Sequence, residues 1–340
     1  IREQRGNRTA KKKFISLEKA RANKFKIDWS DFTATKPQFI GTKVFEDYSL
    51  AELAQYIDWT PFFSSWQLKG KYPAIFQDEY VGVEAKKLFD DAQKMLKRII
   101  DEKWLTAKAI VGFYPANSVN DDDIELYEDE TSKEVLTKLR NLRQQRQKAP
   151  GQPNISLTDF IAPKSSNQSD YIGAFAVTTG IGIEKWVKHF EDQLDDYNAI
   201  MLKALADRFA EAFAERMHER VRREFWGYAT DETLDNESLI SEKYQGIRPA
   251  PGYPACPEHT EKRTLWQLMD VENEIGIKLT ESCAMYPAAS VSGWYFSHPK
   301  SKYFGLGQIE KDQVEDYAER KEMSMEEAEK WLAPSLSYED

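Results

Sequence analysis

The sequence predicts an α+β fold in one domain over residues 14–340, and three observations carry that prediction. First, Met201, Leu205, Phe209, Phe213, Met217, Val221 and Phe225 recur every four residues, the stripe of an amphipathic helix of unusual length from Asp196 to Trp226. Second, Ala109-Ile-Val-Gly-Phe-Tyr114 and Tyr171-Ile-Gly-Ala-Phe-Ala-Val177 are apolar runs of strand length. Third, strands and helices are mixed without regular β-α alternation, which favours α+β over a parallel α/β sheet. No internal repeat is visible, and no Pro/Gly/Ser linker is long enough to divide the chain.

Residues 1–13 are polar and basic and read as a tether. Ser16 to Asn23 carries a short helix pattern, and Lys36 to Tyr48 is extended. Tyr56-Ile-Asp-Trp-Thr-Pro-Phe-Phe63 turns into a helix, with Thr60 as its cap and Pro61 at its first position. Glu84 to Glu102 is helical through Leu88, Phe89, Ala92, Leu96 and Ile99. The strand at 109–114 joins a second, Ile124-Glu-Leu-Tyr127, through the acidic loop Asn120-Asp-Asp-Asp123. Val135 to Lys148 fits a strand or a helix, and Ala149 to Asn154 is a loop. Lys311 to Glu322 and Met325 to Leu332 are helices, the second announced by the capping-box spacing Ser324-Met-Glu-Glu327.

Composition narrows the function. Of 340 residues, 47 are Lys or Arg and 57 are Asp or Glu, a net charge of −10 that argues against a nucleic-acid partner. No apolar run approaches the roughly 18 residues of a membrane span. Two cysteines, Cys256 and Cys283, with no C-x-x-C spacing, indicate neither a disulfide framework nor a zinc site and fit a reducing, cytoplasmic setting. The chain starts at Ile1 without an apolar signal core, and is expected to be a fragment of a longer polypeptide.

Several segments tempt a chemical reading. Thr179-Gly-Ile-Gly-Ile-Glu-Lys185 follows a strand, but Lys185 stands where a dinucleotide loop has its third glycine, so a strand-to-helix turn is the better reading. Glu215-Arg-Met-His218 has the E-x-x-H spacing of di-iron bundles and lacks the second copy that chemistry needs. Asp207, Glu211 and Glu215 form one acidic row at four-residue spacing, either a solvated edge or a surface that meets a cation, ligand or partner. Asp58 is either a helix cap or a carboxylate for a ligand ammonium. Ser290, Ser292 and Ser297 near His298 lack a nucleophile elbow. Cys256 beside His259 reads as a loop residue before it reads as a thiolate pair.

The most informative stretch is Arg248-Pro-Ala-Pro-Gly-Tyr-Pro-Ala-Cys-Pro257. Its four prolines fix φ and remove four amide donors, so it is a stiff loop with spare carbonyl acceptors, one guanidinium and one ring. That set suits gripping a polar cationic small molecule. This stretch resembles the R-x-x-x-G-Y loop of one family, the activation domain of cobalamin-dependent methionine synthase. The resemblance runs in order through Tyr56–Phe63, Gly70-Lys-Tyr-Pro73, Val111-Gly-Phe-Tyr-Pro-Ala-Asn117 and Asp159-Phe-Ile-Ala-Pro163. It continues through Asp170–Val177, Lys203–Arg208, Gln245–Tyr253, Leu279-Thr-Glu-Ser282, Ser290–Pro299 and Ser301-Lys-Tyr303.

The resemblance implies a C-shaped domain with a bent antiparallel sheet and flanking helices. It implies S-adenosylmethionine (AdoMet) in a shallow groove, supporting reductive methylation of cob(II)alamin in methionine biosynthesis. Carried over residue by residue, Asp58 meets the ligand's amino-acid end and Arg248 its carboxylate. The backbone of Ala250, Gly252 and Tyr253 runs along it. Tyr303 and Phe304 line the site, with a phenyl ring at 304 where some relatives have tyrosine. Glu211 and Glu242 are second contacts, and Asp207 meets the cobalamin domain of the same polypeptide. Cobalamin itself belongs to that separate domain, and flavodoxin or a similar flavoprotein is the implied electron donor. A module of this kind binds AdoMet without turnover when isolated. The alternative is a docking platform for flavodoxin and the cobalamin domain whose AdoMet site is secondary or lost. A free-standing methyltransferase would need an acceptor site that the sequence does not show.

Overall fold

The computed structural model describes residues 13–131 and 134–338. The tether expected over residues 1–13 therefore lies outside the described residues, except for Lys13. The helices are α1 (Leu17–Ala22), α2 (Leu50–Leu53), α3 (Trp59–Ser65), α4 (Gly82–Asp101), α5 (Ile183–Asp192), α6 (Asp196–Arg220), α7 (Asn236–Ile240), α8 (Glu261–Met269), α9 (Val271–Ile275), α10 (Lys311–Lys321) and α11 (Met325–Leu332). The strands are β1 (Gly41–Tyr48), β2 (Thr106–Val119), β3 (Asp123–Tyr127), β4 (Val135–Arg140), β5 (Asp170–Ile181), β6 (Lys278–Leu279), β7 (Met285–Tyr286) and β8 (Ser290–Tyr295). No helix among the described residues is long and apolar enough to cross a membrane.

Six strands form one antiparallel sheet in the order β4-β3-β2-β5-β8, with β1 also on β2. β2 organises it. One edge pairs with β5 from Thr106↔Ile181 to Ala116↔Asp170. The other edge is shared in succession by β1, opposite residues 107–113, and β3, opposite residues 116–119. Pro115, with no N–H to give, falls in the gap between those two partners. The strand read from the sequence at 109–114 is thus longer than its apolar run.

Alternation along β2 and β5 splits the core into two layers. Ala107, Ala109, Val111 and Phe113 of β2, with Phe175 and Val177 of β5, pack towards α3, α4 and α6. Ile110, Tyr114 and Ala116, with Ile172, Ala174 and Ala176, pack towards Leu265, Trp266 and Met269 of α8 and Val271 and Ile275 of α9. Both faces of the sheet are covered, which is why β5 reads as an unbroken apolar run. The α+β class expected from the sequence is the class observed.

All seven residues of the four-residue stripe are buried. Ala210, Ala212, Ala214, Glu215, His218 and Glu219 are buried as well, so α6 is enclosed on more than the one face the stripe defines. The last turn, Val221–Phe225, widens to a π-helix, and the regular helix stops at Arg220 rather than Trp226. The helices expected at the C-terminus and at residues 84–102 are found, and Ser324 caps α11. The stretch that fitted either a strand or a helix is β4 followed by irregular chain around a fully buried Arg143.

The cap of α3 is a correction. The helix starts at Trp59, and Asp58, not Thr60, accepts the capping bond, from Thr60 N at 2.9 Å. Pro61 falls at the third helical position, where the N–H would still lack an intrahelical acceptor. The Thr60 hydroxyl instead accepts from Tyr72 N at 3.2 Å. Gly182, at φ +92°, turns β5 into α5, which makes the G-I-G run a strand-to-helix turn.

Candidate functional site

The proline loop lies along the edge of the sheet. Ile247 and Phe296 exchange two backbone hydrogen bonds at 3.0 Å, and Trp294 N donates to Pro249 O at 2.9 Å. The loop therefore extends β8 as an edge, the place in a sheet where prolines without donors are tolerated. Gly293 of β8 makes the approach possible, because a Cβ there would stand 2.6 Å from Pro249 O. Beyond Ala250 the chain closes on itself through Tyr253 N to Ala250 O (3.1 Å), Gly252 N to Cys256 O (2.7 Å) and Cys256 N to Tyr253 O (2.9 Å). Gly252 sits at φ +95°, and a Cβ would meet the His259 ring at 2.3 Å, so only glycine serves at this turn.

Two cavities open beside the loop. The larger, about 450 Å³, is lined by Phe175, Glu211, Glu242, Arg248, Pro249, Ala250, Tyr253, Pro254, Ala255, Val291, Tyr303 and Phe304. The smaller, about 290 Å³, is lined by Tyr56, Asp58, Pro61, Arg208, Glu211, Ala212, Glu215, Leu239, Ile240, Glu242 and Arg248. Glu211, Glu242 and Arg248 belong to both, which makes one continuous groove with Arg248 at the join. Its size falls in the roughly 300–1,000 Å³ range of small-molecule sites. One part is mainly apolar and aromatic. The other carries four carboxylates, Asp58, Glu211, Glu215 and Glu242, against two guanidiniums, so it favours a cation.

Arg248 is held from α6 and from its own loop. Its Nη2 pairs with Glu215 Oε2 at 2.9 Å. Its Nη1 donates to His218 Nδ1 at 3.3 Å and to the Tyr244 hydroxyl at 3.2 Å. Its backbone N–H donates to the Tyr303 hydroxyl at 3.0 Å. Nε has no acceptor among the described residues and stays available to a ligand. Burial raises the Glu242 carboxyl above its usual range, with Arg248 opposing and Glu215 adding to the rise.

The sequence-derived site residues divide as follows. Glu211, Glu242, Arg248, Ala250, Tyr253, Tyr303 and Phe304 line the larger cavity, and Asp58 lines the smaller one. Gly252 lines neither and shapes the turn. Asp207 is exposed on α6 one turn before Glu211 and lines neither cavity. Sequence reasoning missed the apolar floor of Phe175 and Val291, the wall of Leu239 and Ile240, and Tyr244. The E-x-x-H pair is not a metal motif: its two side chains meet Arg248, and no metal-ligating cluster exists among the described residues. Cys256 is buried, and burial with nearby Glu261 and Glu258 pushes its thiol up, so it is no thiolate.

His298 ties down the turn that leads to Tyr303. Lys300 N donates to His298 Nδ1 at 3.0 Å, and Ser301 N and its hydroxyl donate to His298 O. The ring packs on Trp29 and Phe32, with centroids 5.0 and 4.4 Å away. Burial, with Lys300 adding, lowers the imidazole from 6.5 to about 4. A histidine depressed in the folded state contributes stability that is complete above pH 6.5 and is lost as pH falls towards 4. The expected result is an unfolding free energy that declines over that window in the parent and declines less in His298→Gln. An equal fall in unfolding free energy from pH 6.5 to pH 4.5 in parent and variant, measured by urea denaturation, would refute it.

Fold and groove together define a binding module: an α+β domain that presents an arginine-anchored, acidic, partly apolar groove to a small polar ligand. The family model described as vitamin B12 dependent methionine synthase, activation domain, matches residues 49–322, and the chain belongs to that family. Its structure is similar to a crystal structure of the MetH reactivation domain bound to AdoHcy, with 58% identity, a TM-score of 0.93, and 96% of this chain and 99% of that one covered. The resemblance read from the sequence is thereby confirmed, and the domain is part of a methyltransferase, a methionine synthase.

Proposed function

We propose that the groove binds AdoMet and presents it to cobalamin held by another domain of the same polypeptide. Residues 1–13 form a tether, residues 14–340 form the presenting domain, and the setting is cytoplasmic. The observation that supports this reading best is Arg248 at the join of the two cavities, with Asp58 lining the part rich in carboxylates. AdoMet carries a carboxylate, an ammonium and a sulfonium. Arg248 complements the first through Nε, Asp58 with Glu211 and Glu242 complements the second, and the acidic surroundings tolerate the third. Backbone from Ala250 to Tyr253, with Tyr303 and Phe304, borders the rest of the ligand. The ligand supplies an activated methyl group; the residues named here bind and orient it, and none acts as an acid or base. The isolated chain therefore binds AdoMet without turnover, and its contribution to the parent enzyme is positioning. Asp207, exposed beside the groove, contacts the cobalamin domain, and a flavodoxin-type flavoprotein supplies the electron.

Asp58→Asn separates the two roles of that residue. Asparagine caps a helix about as well as aspartate, so the unfolding midpoint stays where it was. The ammonium loses its charged partner, and AdoMet affinity falls roughly tenfold or more. Calorimetric titration with a parallel denaturation curve reads both. Unchanged affinity removes Asp58 from the site.

A further inference from the structure

We propose that His218, with Tyr244, is a positioning residue that orients the Arg248 guanidinium to receive the ligand's carboxylate; this rests on the AdoMet reading above. A guanidinium only donates, so the His218 Nδ1 facing Nη1 at 3.3 Å is the lone-pair nitrogen, and the ring proton sits on Nε2. The ring is completely buried, stacked on Tyr295 at a centroid distance of 5.2 Å and edge-on to Tyr244 at 4.8 Å. Burial, then the charges of Arg222 and Arg248, lowers its pKa well below the usual range and keeps it neutral.

Neutrality is what the position requires. Glu215 already balances the Arg248 charge through Nη2. A second carboxylate at 218 would hold the fork as well, but it would repel the incoming carboxylate. An uncharged imidazole and an uncharged phenol fix Nη1 without that repulsion. The pair at i and i+3 on α6 therefore places one anionic and one neutral acceptor on the two ends of a single guanidinium. This is the role of the E-x-x-H spacing.

The test titrates AdoMet and its decarboxylated analogue into the 340-residue chain and into His218→Phe, His218→Asn, Tyr244→Phe and Arg248→Ala variants. His218→Phe keeps the ring stack and removes the acceptor. It is expected to weaken AdoMet roughly tenfold and to change the decarboxylated analogue less than about twofold. His218→Asn offers an amide oxygen near the place of Nδ1 and is expected to recover affinity to within about threefold of the parent. Tyr244→Phe, which removes a single hydroxyl, shows the same selective loss and decides the matter if His218→Phe does not fold. Equal weakening of both ligands would mean a structural role and overturn the inference, as would unchanged AdoMet binding in both acceptor-deleted variants or no recovery in His218→Asn. If Arg248→Ala loses AdoMet while the His218 and Tyr244 variants do not, this inference fails and the AdoMet reading stands. If Arg248→Ala binds AdoMet like the parent, Arg248 is not the carboxylate anchor and this inference fails alone; if the parent chain does not bind AdoMet, the AdoMet reading fails.

Discussion

Arg248→Ala is expected to weaken AdoMet binding by about two orders of magnitude. One charge-assisted contact removed costs roughly 1.5–3 kcal/mol, or about ten- to more than a hundredfold. The upper end applies here because the variant also leaves Glu215, only 10% exposed, without its cation beside the incoming carboxylate. Arg248→Lys recovers little. One ammonium cannot meet Glu215, His218, Tyr244 and a ligand at the angles the planar fork does. Calorimetry on the folded variants reads the effect directly. Binding within about threefold of the parent would end the assignment of Arg248 as anchor.

The largest effect on stability is expected at Arg143, which lines neither cavity of the groove. Its side chain is fully buried, and its guanidinium makes five hydrogen bonds. Nε meets Asp122 at 2.8 Å, Nη1 and Nη2 meet the two oxygens of Asp159 at 2.8 Å, and the Asn154 and Asp121 carbonyls take the remainder. The network continues outward. Asp122 also accepts from Arg21 of α1 at 2.6 Å, and Arg21 reaches Asp316 of α10 at 2.8 Å. One residue thus ties the β2–β3 turn and the 154–159 segment to the two terminal regions. Arg143→Met leaves the buried Asp159 without its cation and Asp122 with Arg21 alone, at a cost of about 3–5 kcal/mol. Urea denaturation measures it, and a loss under about 1 kcal/mol would show that the carboxylates find other partners.

Local chemistry made much of this legible beforehand. The four-residue stripe of α6, the capping spacing at Ser324 and the acidic turn between β2 and β3 depend on neighbours within a few positions, and each appears where the sequence placed it. Seven of the nine residues that the family resemblance assigns to AdoMet line one cavity. The misses have a common cause. Nothing within a few residues of Glu215 or His218 says that Arg248, some thirty positions away, will fill the space above them. Polar residues set among the apolar ones of α6, Glu215, His218 and Glu219, were the available signal, and the metal-like spacing of the first two competed with it. Thr60 and Asp58 were equally suitable caps by composition, and only the extended backbone at Asp58 chose between them. Arg143 gave no signal because a buried arginine and a surface arginine look alike until their partners are assembled.

The sequence by itself determined the class of fold, the family, and the stiff loop that carries Arg248, since these rest on periodicity, proline and glycine constraints and an ordered set of motifs. Tertiary structure alone decided which side chains meet. It laid the proline loop along the free edge of β8, brought α6 beneath it, and set Glu215, His218 and Tyr244 around one guanidinium. The physical reason is range. Backbone preferences act over a few residues, whereas a groove is made by packing two elements distant in the chain, and its chemistry exists only at their contact.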